Sequence, residues 1–323
     1  MNLSFTACSF FLKKFNERKI SNNIYDLNKN IIIHKDEDIV FENALSLFDE
    51  FFQKNNGFND DKNNSRAFTC DYIGDKVEND NYVLYSARIG SGYYGDSSDI
   101  ININTKNLVH KKTKEEVELK YFYVLIVIPK DNPDLVVNKG ILIFQNIGRF
   151  GIKTMLCEEM DKYFKLNYNV VLRCYNIAPS LFIDSLLAGN MLKGLTLIRH
   201  NKSADSSDNY YYGCRTEERR FFNIDFKEKG LHQLVKKFKR FIDNPHEKFI
   251  GDDNEKYDEV KIEIKTGEKN RKISLSNLDN VSIIESLPPG IKNDSGNADL
   301  TKLVNYLKDR IDIYLDNMCL REE

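Results

Sequence analysis

Alternating apolar and polar residues mark the first strand of the chain. Leu3, Phe5 and the residues from Cys8 to Phe11 stand among polar neighbours, which indicates a strand at the start of a sheet. Two continuous apolar runs follow, YFYVLIVIPK at 121–130 and KGILIFQNIG at 139–148, and both have the length of buried strands. These runs predict the centre of the core sheet.

Helical periodicity appears in five segments of the chain. Apolar residues recur there at three- and four-residue spacing, which predicts amphipathic helices. Phe41, Leu45 and Phe48 show this spacing in the first of them. The segments are 39–53, 152–165, 180–189, 229–243 and 299–317.

The elements predict an α+β fold, with mixed or antiparallel sheets flanked by amphipathic helices. Period-two runs around a Thr-Gly turn also predict a hairpin at 258–278. Single hydrophobic cores stop growing at roughly 250 to 300 residues, and this chain has 323. We therefore expect a two-part architecture, with an N-terminal α/β sheet domain at 1–190 and a basic α+β domain at 191–323.

Charge is unevenly distributed along the chain. The net charge is −2, so the chain as a whole has no attraction for nucleic acid or for an anionic membrane. The segment 193–240 nevertheless holds twelve Lys and Arg residues against six Asp and Glu residues. A local basic surface is therefore expected in the second domain.

Motifs for metal binding, covalent catalysis and membrane insertion are absent from the sequence. None of the six cysteines has C-x2-C spacing, so we expect free thiols and no metal site or other cofactor. H-E-x-x-H and G-x-S-x-G do not occur, and we assign no catalytic residue. No apolar span reaches the ~20 residues of a membrane helix, and Lys13 and Lys14 argue against a signal peptide. These features predict a cytoplasmic protein without direct membrane insertion.

Two glycine-containing segments are candidates for contact with nucleic acid. GRFGIK at 148–153 follows a buried strand and opens a helix, where free N–H groups favour a phosphate beside Arg149 and Lys153. ARIGSGYYGDSS at 87–98 combines Arg88 with glycines and tyrosines, a composition that suits nucleic acid. The alternatives are an ordinary strand-to-helix turn and an ordinary hairpin tip.

A basic tract in the third quarter of the chain is the main candidate for a DNA contact. Lys and Arg side chains neutralise phosphates and release condensed counterions, which supplies most sequence-independent affinity. A solvated charged face is the alternative. The residues of the tract that we assign to DNA are Arg215, Arg219, Lys236, Lys237, Lys239 and Arg240.

The late hairpin offers an enzymatic alternative. Asp258, Glu263 and Lys265 are the residue types with which a nuclease of the restriction type holds Mg²⁺ and orients water. Their spacing is shorter than the usual version of that motif. Alternating charges on a solvent-facing strand explain the same pattern.

Four segments occur in an order that resembles a known family. They are SFTACS at 4–9, ARIGSGYYGDSSDI at 87–100, FQNIGRFGIK at 144–153 and VKKFKRFIDNP at 235–245. A short first strand, an Ala-Arg-then-Gly loop, an Ile-Gly-Arg turn and a Lys-rich helix before a late hairpin resemble the RexA-type phage-exclusion proteins of lambda-like prophages.

The resemblance implies a DNA-binding protein of abortive infection, a homodimer with RdgC-like character that acts with a membrane-protein partner. It places Arg149, Lys153, Lys236, Lys237, Lys239 and Arg240 against duplex DNA. We therefore expect a non-enzymatic anti-phage protein that contacts the phosphate backbone with little sequence readout. A sensor that binds a phage protein through the tyrosine-rich loop is a further alternative.

Overall fold

The structure is a computed structural model in which part of the chain is described. The described residues are 2–15, 23–33, 38–61, 65–74, 76–130, 136–177, 192–202, 215–223, 234, 236–238, 240–241, 248–251, 255–266, 269–275, 284–293 and 295–319. The helix expected at 180–189 and the candidate Lys239 lie outside them.

Strands and helices together confirm the predicted α+β class. In chain order they are β1 (Leu3–Lys14), β2 (Ile31–Ile33), β3 (Ile39–Phe41), α1 (Ala44–Lys54), β4 (Phe58–Asp61), β5 (Arg66–Ile73), β6 (Val77–Glu78), β7 (Tyr82–Tyr93), β8 (Ser98–Ile101), β9 (Leu108–Lys112), β10 (Lys120–Pro129), β11 (Gly140–Ile147), β12 (Phe150–Gly151), α2 (Lys153–Tyr168), β13 (Val170–Asn176), β14 (Leu192–Lys202), β15 (Arg215–Asn223), β16 (Phe249–Ile250), β17 (Lys256–Tyr257), β18 (Glu259–Thr266), β19 (Lys269–Ser274), β20 (Ile284–Ser286) and α3 (Leu300–Cys319). Residues 234, 236–238 and 240–241 are also helical.

The chain folds into two compact units. The first unit combines Met1–Tyr175 with Ile283–Glu323, and the second unit is Asn176–Ser282. The division expected from the sequence, 1–190 and 191–323, differs from this one at both ends of the second unit. The last forty residues or so, α3 included, return to the first unit because β20 pairs with β1.

One large sheet forms the centre of the first unit. Its strand order is β13-β1-β11-β10-β7-β5-β4, with β20 also paired to β1, β12 to β11 and β6 to β7. Neighbouring strands such as β1 and β11, or β10 and β7, run antiparallel. The two apolar runs of the sequence are the neighbours β10 and β11, so the predicted centre of the sheet is confirmed.

The face of the sheet that carries Cys8 is covered by α1 and α2. Strand register aligns Cys8 with Leu142, Leu142 with Ile126 and Ile126 with Tyr85, and paired residues share a face. The ring of Phe48 on α1 lies 5.2 Å from that of Phe10 on β1 and 5.4 Å from that of Phe164 on α2. The two helices therefore pack on each other and on the sheet.

Helix α3 packs on the opposite face of the same sheet. Its Tyr314 hydrogen-bonds Glu285 of β20, and Glu285 is paired with Phe5 of β1. Because side chains alternate along a strand, Phe5 and Cys8 point to opposite faces. With helices on both faces, every residue of β11 is buried.

The first predicted helix begins later than its apolar pattern indicated. Residues 39–41 form β3, which pairs with β2, and α1 runs over Ala44–Lys54. The side chain of Asn43 accepts a hydrogen bond from the backbone N–H of Ser46, which fixes the start of the helix. The last predicted helix, 299–317, is confirmed as α3.

The glycine-containing segment after Ala87 is strand for most of its predicted loop. Strand β7 continues to Tyr93, and Gly90 and Gly92 lie within it. A Cβ on Gly90 would stand 2.9 Å from the Tyr121 ring, and one on Gly92 would overlap the backbone of Glu118. These glycines permit close packing and do not form a turn.

The second unit is built on a four-stranded sheet with the order β15-β14-β18-β19. β18 and β19 confirm the hairpin predicted at 258–278. The helical residues 234, 236–238 and 240–241 form the basic helical segment. Its Phe238 and Phe241 are buried against Phe249, with ring centroids 5.9 and 5.7 Å away. The apolar side of that segment therefore faces the interior of the unit.

Membrane-spanning character is not found in the described helices. None of them combines the length and the apolar composition that crossing a bilayer requires.

Candidate functional site

Arg88 is engaged by a neighbouring carboxylate in the first unit. Its Nε and Nη2 donate to Asp71, Nε at 3.1 Å and Nη2 at 2.6 Å, and its guanidinium lies 5.1 Å from the Tyr121 ring centroid. The pKa of Arg88 is raised above its ordinary value, mainly because of the hydrogen bonds to Asp71. The positive charge is thus balanced locally, which weakens its assignment to DNA.

Arg149 and Lys153 occupy different environments. Ile147 pairs with Phe150, so Gly148 and Arg149 form a two-residue hairpin turn, and Gly148 has a φ of +59°. Arg149 is exposed, with its guanidinium 5.5 Å from the Phe150 ring centroid. Lys153 is half-buried as the first residue of α2. The predicted strand, turn and helix are present, with a short hairpin inserted between them.

Candidate cations of the second unit lie on β15 and on the basic helical segment. Arg219, Lys236 and Arg240 are exposed, and Lys237 is half-buried. Arg215 belongs to β15, but its side chain lies outside the part of the structure that is described.

Strand β15 also presents two exposed aromatic rings. Phe221 is 64 % exposed and Phe222 is 45 % exposed. Since side chains alternate along a strand, Phe221 shares a face with Arg219, and Phe222 shares the other face with Arg220. Arg220 donates to Glu218 at 3.0 Å and lies 5.9 Å from the Tyr257 ring centroid. β15 is an edge strand of its sheet.

Four of the acidic side chains that are described in the second unit are held in ion pairs. Such a pair offsets the carboxylate charge locally, so these acids subtract little from the field of the cations elsewhere on the surface. The pairs are Glu218 with Arg220 at 3.0 Å, Glu255 with Arg199 at 2.7 Å, Asp258 with Lys248 at 2.9 Å and Glu259 with Lys261 at 3.2 Å.

The residues of the nuclease alternative do not converge. Asp258 accepts a hydrogen bond of 2.8 Å from the backbone N–H of His200. This bond lowers the pKa of Asp258 more than the neighbouring Lys248 does. Asp258 lies directly before β18, and Glu263 is the fifth residue of that strand, so about 16 Å of chain separates the two residues. The two carboxylates cannot share one metal ion, and the side chain of Lys265 lies outside the described residues.

A cluster of three thiols lies in the first unit. Cys8 of β1, Cys157 of α2 and Cys174 of β13 place their sulfur atoms within 4.8 Å of one another. All three are unbridged, as is Cys70, in agreement with the expected free thiols. Hydrogen bonds from Cys157 and Cys174 lower the pKa of Cys8 well below its ordinary value. The pKa of Cys174 is raised, mainly because of its hydrogen bond with Cys157.

No local motif of the sequence indicated this cluster. The three cysteines are far apart along the chain, and spacing rules detect only ligands that are close in sequence. The alternation that puts Cys8 on the helix-covered face of β1, and the position of Cys157 on α2, were the available clues.

Comparisons with protein-family models, with curated proteins and with solved structures find no match. The fold and the sites define an α+β protein with a three-thiol cluster in its first unit and a basic, aromatic edge strand in its second.

Proposed function

We propose that the protein binds duplex DNA through the phosphate backbone, with little sequence readout, and that the second unit makes the contact. The observation that carries this proposal is the exposure of Arg219, Lys236 and Arg240 in a unit in which four of the described acids are ion-paired. Exposed cations release counterions from DNA when they neutralise phosphates.

The aromatic residues of β15 add a contact for frayed or single-stranded parts of the bound DNA. Phe221 stands beside Arg219 on one side of an edge strand, so a phosphate and a neighbouring base or sugar could be contacted together. Stacking of a base on an aromatic side chain contributes about 1–3 kcal/mol and does not depend on base identity. It requires an unstacked base, so Phe221 adds affinity mainly at frayed or single-stranded DNA.

A role in phage exclusion is the proposed biological setting. It is supported by the resemblance to RexA-type proteins, which also supports a homodimer and a membrane-protein partner. The absence of a signal peptide and of a long apolar span from the sequence supports a cytoplasmic location. Expression of the gene with and without its neighbouring genes, followed by plating of phages, tests the setting. Light scattering on the purified protein tests the dimer.

The direct experiment is a salt titration of binding to a fluorescent duplex, read by anisotropy. The test variant carries Arg219→Gln, Lys236→Gln and Arg240→Gln together. Each phosphate contact contributes about 0.9 to the slope of log K against log salt, so this variant should lower the slope by about 2 to 3.

A control variant removes the same charge from exposed lysines of the first unit. It carries Lys111→Gln, Lys302→Gln and Lys308→Gln, and we expect it to keep the wild-type slope. An equal loss in both variants would show that net charge, and not this surface, governs binding. No binding of the wild type at low salt would refute the proposal.

Recognition of a phage protein is a second candidate function, and one surface favours it. The hairpin of β8 and β9, which follows the tyrosine-rich segment, exposes Ile101 by 58 %, Ile103 by 83 % and Val109 by 65 %. Exposed apolar groups of this kind mark interaction surfaces. Loss of phage exclusion in Ile101→Asp with intact DNA binding would favour this function, and escape mutations confined to one phage structural gene would identify the partner.

A further inference from the structure

Three separate elements bring the thiols of Cys8, Cys157 and Cys174 together. β1 and β13 are neighbours in the large sheet, and α2 precedes β13 in the chain. Cys8 is fully buried, while Cys157 and Cys174 are half-buried, so the cluster lies at the margin of the core. An ion could therefore reach it without crossing the interior of the unit.

The spacing of the sulfur atoms matches one metal ion. Metal–sulfur bonds of about 2.3 Å hold the sulfurs of a three-thiolate site about 3.8–4.0 Å apart. The sulfurs here lie within 4.8 Å of one another, so small side-chain adjustments bring them to that geometry. The described residues add no carboxylate or imidazole to the group, which leaves an all-sulfur ligand set.

Lys153 supplies a positive charge beside the thiols. It lies four residues before Cys157 on α2, which is one helical turn, and its charge acts on both Cys8 and Cys157. Three thiolates around a divalent ion carry one excess negative charge, which the positive charge of Lys153 offsets in part.

We propose that Cys8, Cys157 and Cys174 bind a single thiophilic metal ion, Zn²⁺ or Cu⁺, as three thiolates. Thiolate sulfur is the ligand that favours these two ions over Mg²⁺ or Ca²⁺. Binding releases the three thiol protons and involves no change of oxidation state. Cu⁺ is satisfied by the three sulfurs, whereas Zn²⁺ takes a fourth ligand, such as water, from the half-exposed side.

Metal titrations of the reduced, chelator-treated protein test the site and distinguish the two ions. Zn²⁺ is titrated in competition with a chromophoric zinc chelator, and Cu⁺ without oxygen in competition with a copper(I) chelator. We expect one equivalent of one of these ions per chain. Co²⁺ in place of Zn²⁺ should give the strong near-ultraviolet absorption of thiolate ligation.

Serine variants assign the ligands. Cys157→Ser should weaken binding by more than about 100-fold, which is the upper limit for loss of an outer-shell partner. Cys174→Ser is the second test if the first variant does not fold. Cys70→Ser is the matched control, because Cys70 is a buried, unbridged cysteine on β5, four strands from β1, and should leave binding unchanged.

Two results would overturn the proposal. The first is that neither ion binds with one-to-one stoichiometry to the reduced protein, including the case in which the thiols only form a disulfide on oxidation. The second is that Cys157→Ser and Cys174→Ser fold and bind metal as tightly as Cys70→Ser. DNA binding by the second unit is measured separately, so either proposal can fail alone.

Discussion

Tyr314 of α3 donates a hydrogen bond to the carboxylate of Glu285 on β20. Both residues come from the last part of the chain, and β20 is paired with the first strand, so this bond helps to hold the two ends of the chain together. The Nε atom of Arg310 lies 3.7 Å from the other carboxylate oxygen of Glu285. Tyr314 is 4 % exposed, so the bond is largely shielded from water.

Removal of this hydroxyl should destabilise the first unit. We expect Tyr314→Phe to lower the free energy of unfolding by about 1–3 kcal/mol, because the carboxylate loses its donor. Urea denaturation measures the change. Tyr306→Phe, at a half-buried tyrosine of the same helix, is the control, and an equal effect of the two changes would contradict the importance of the bond.

Alkaline pH should destabilise the first unit through two buried tyrosines. The pKa values of Tyr85 and Tyr314 are raised, mainly by burial. The carboxylate of Asp49 raises that of Tyr85 further, and the carboxylate of Glu285 raises that of Tyr314. The unfolded phenols lose their protons near pH 10 while the folded ones keep theirs, so stability is complete below about pH 10 and falls above it.

Urea midpoints measured between pH 8 and pH 11 test this dependence. The double variant Tyr85→Phe, Tyr314→Phe should be less stable at pH 8 and should decline less steeply than the wild type above pH 10. Parallel curves for the two proteins would show that other groups cause the alkaline loss.

Gly140 should not tolerate a side chain. A Cβ there would stand 2.5 Å from the Phe10 ring and 2.8 Å from the carbonyl oxygen of Val127. Gly140→Ala should therefore cost about 1–3 kcal/mol or more through overpacking, as measured by thermal denaturation. Gly290→Ala is the control, because a Cβ at Gly290 meets no atom within 4 Å. Equal melting temperatures would show that the sheet can adjust at Gly140.

Arg88 should contribute little to DNA binding. Its guanidinium is held by Asp71, so Arg88→Gln should change the affinity for duplex DNA less than twofold and lower stability by at most about 1 kcal/mol. Arg219→Gln, measured in the same anisotropy assay, should weaken binding more. The reverse order would return Arg88 to the binding surface.

Local patterns in the sequence were sufficient to predict the strands that are buried on both faces and the helix with a regular apolar stripe. The runs that became β10 and β11 are mostly apolar because both faces of the sheet are covered, and the stripe of α3 repeats with the period of a helix. The apolar pattern placed the start of the first helix too early, at residue 39. The apolar residues at 39–41 form β3, but they also fit the helical spacing of the residues of α1 that follow.

The amino-acid sequence by itself determined the α+β class, the central strands and the segregation of basic residues into one part of the chain. Tertiary structure alone decided that residues 283–323 return to the first unit, that Asp71 holds Arg88, and that Cys8, Cys157 and Cys174 meet. The reason is physical: periodicity records which face of an element is buried, whereas contacts between distant elements depend on strand register and packing, which leave no local trace in the sequence.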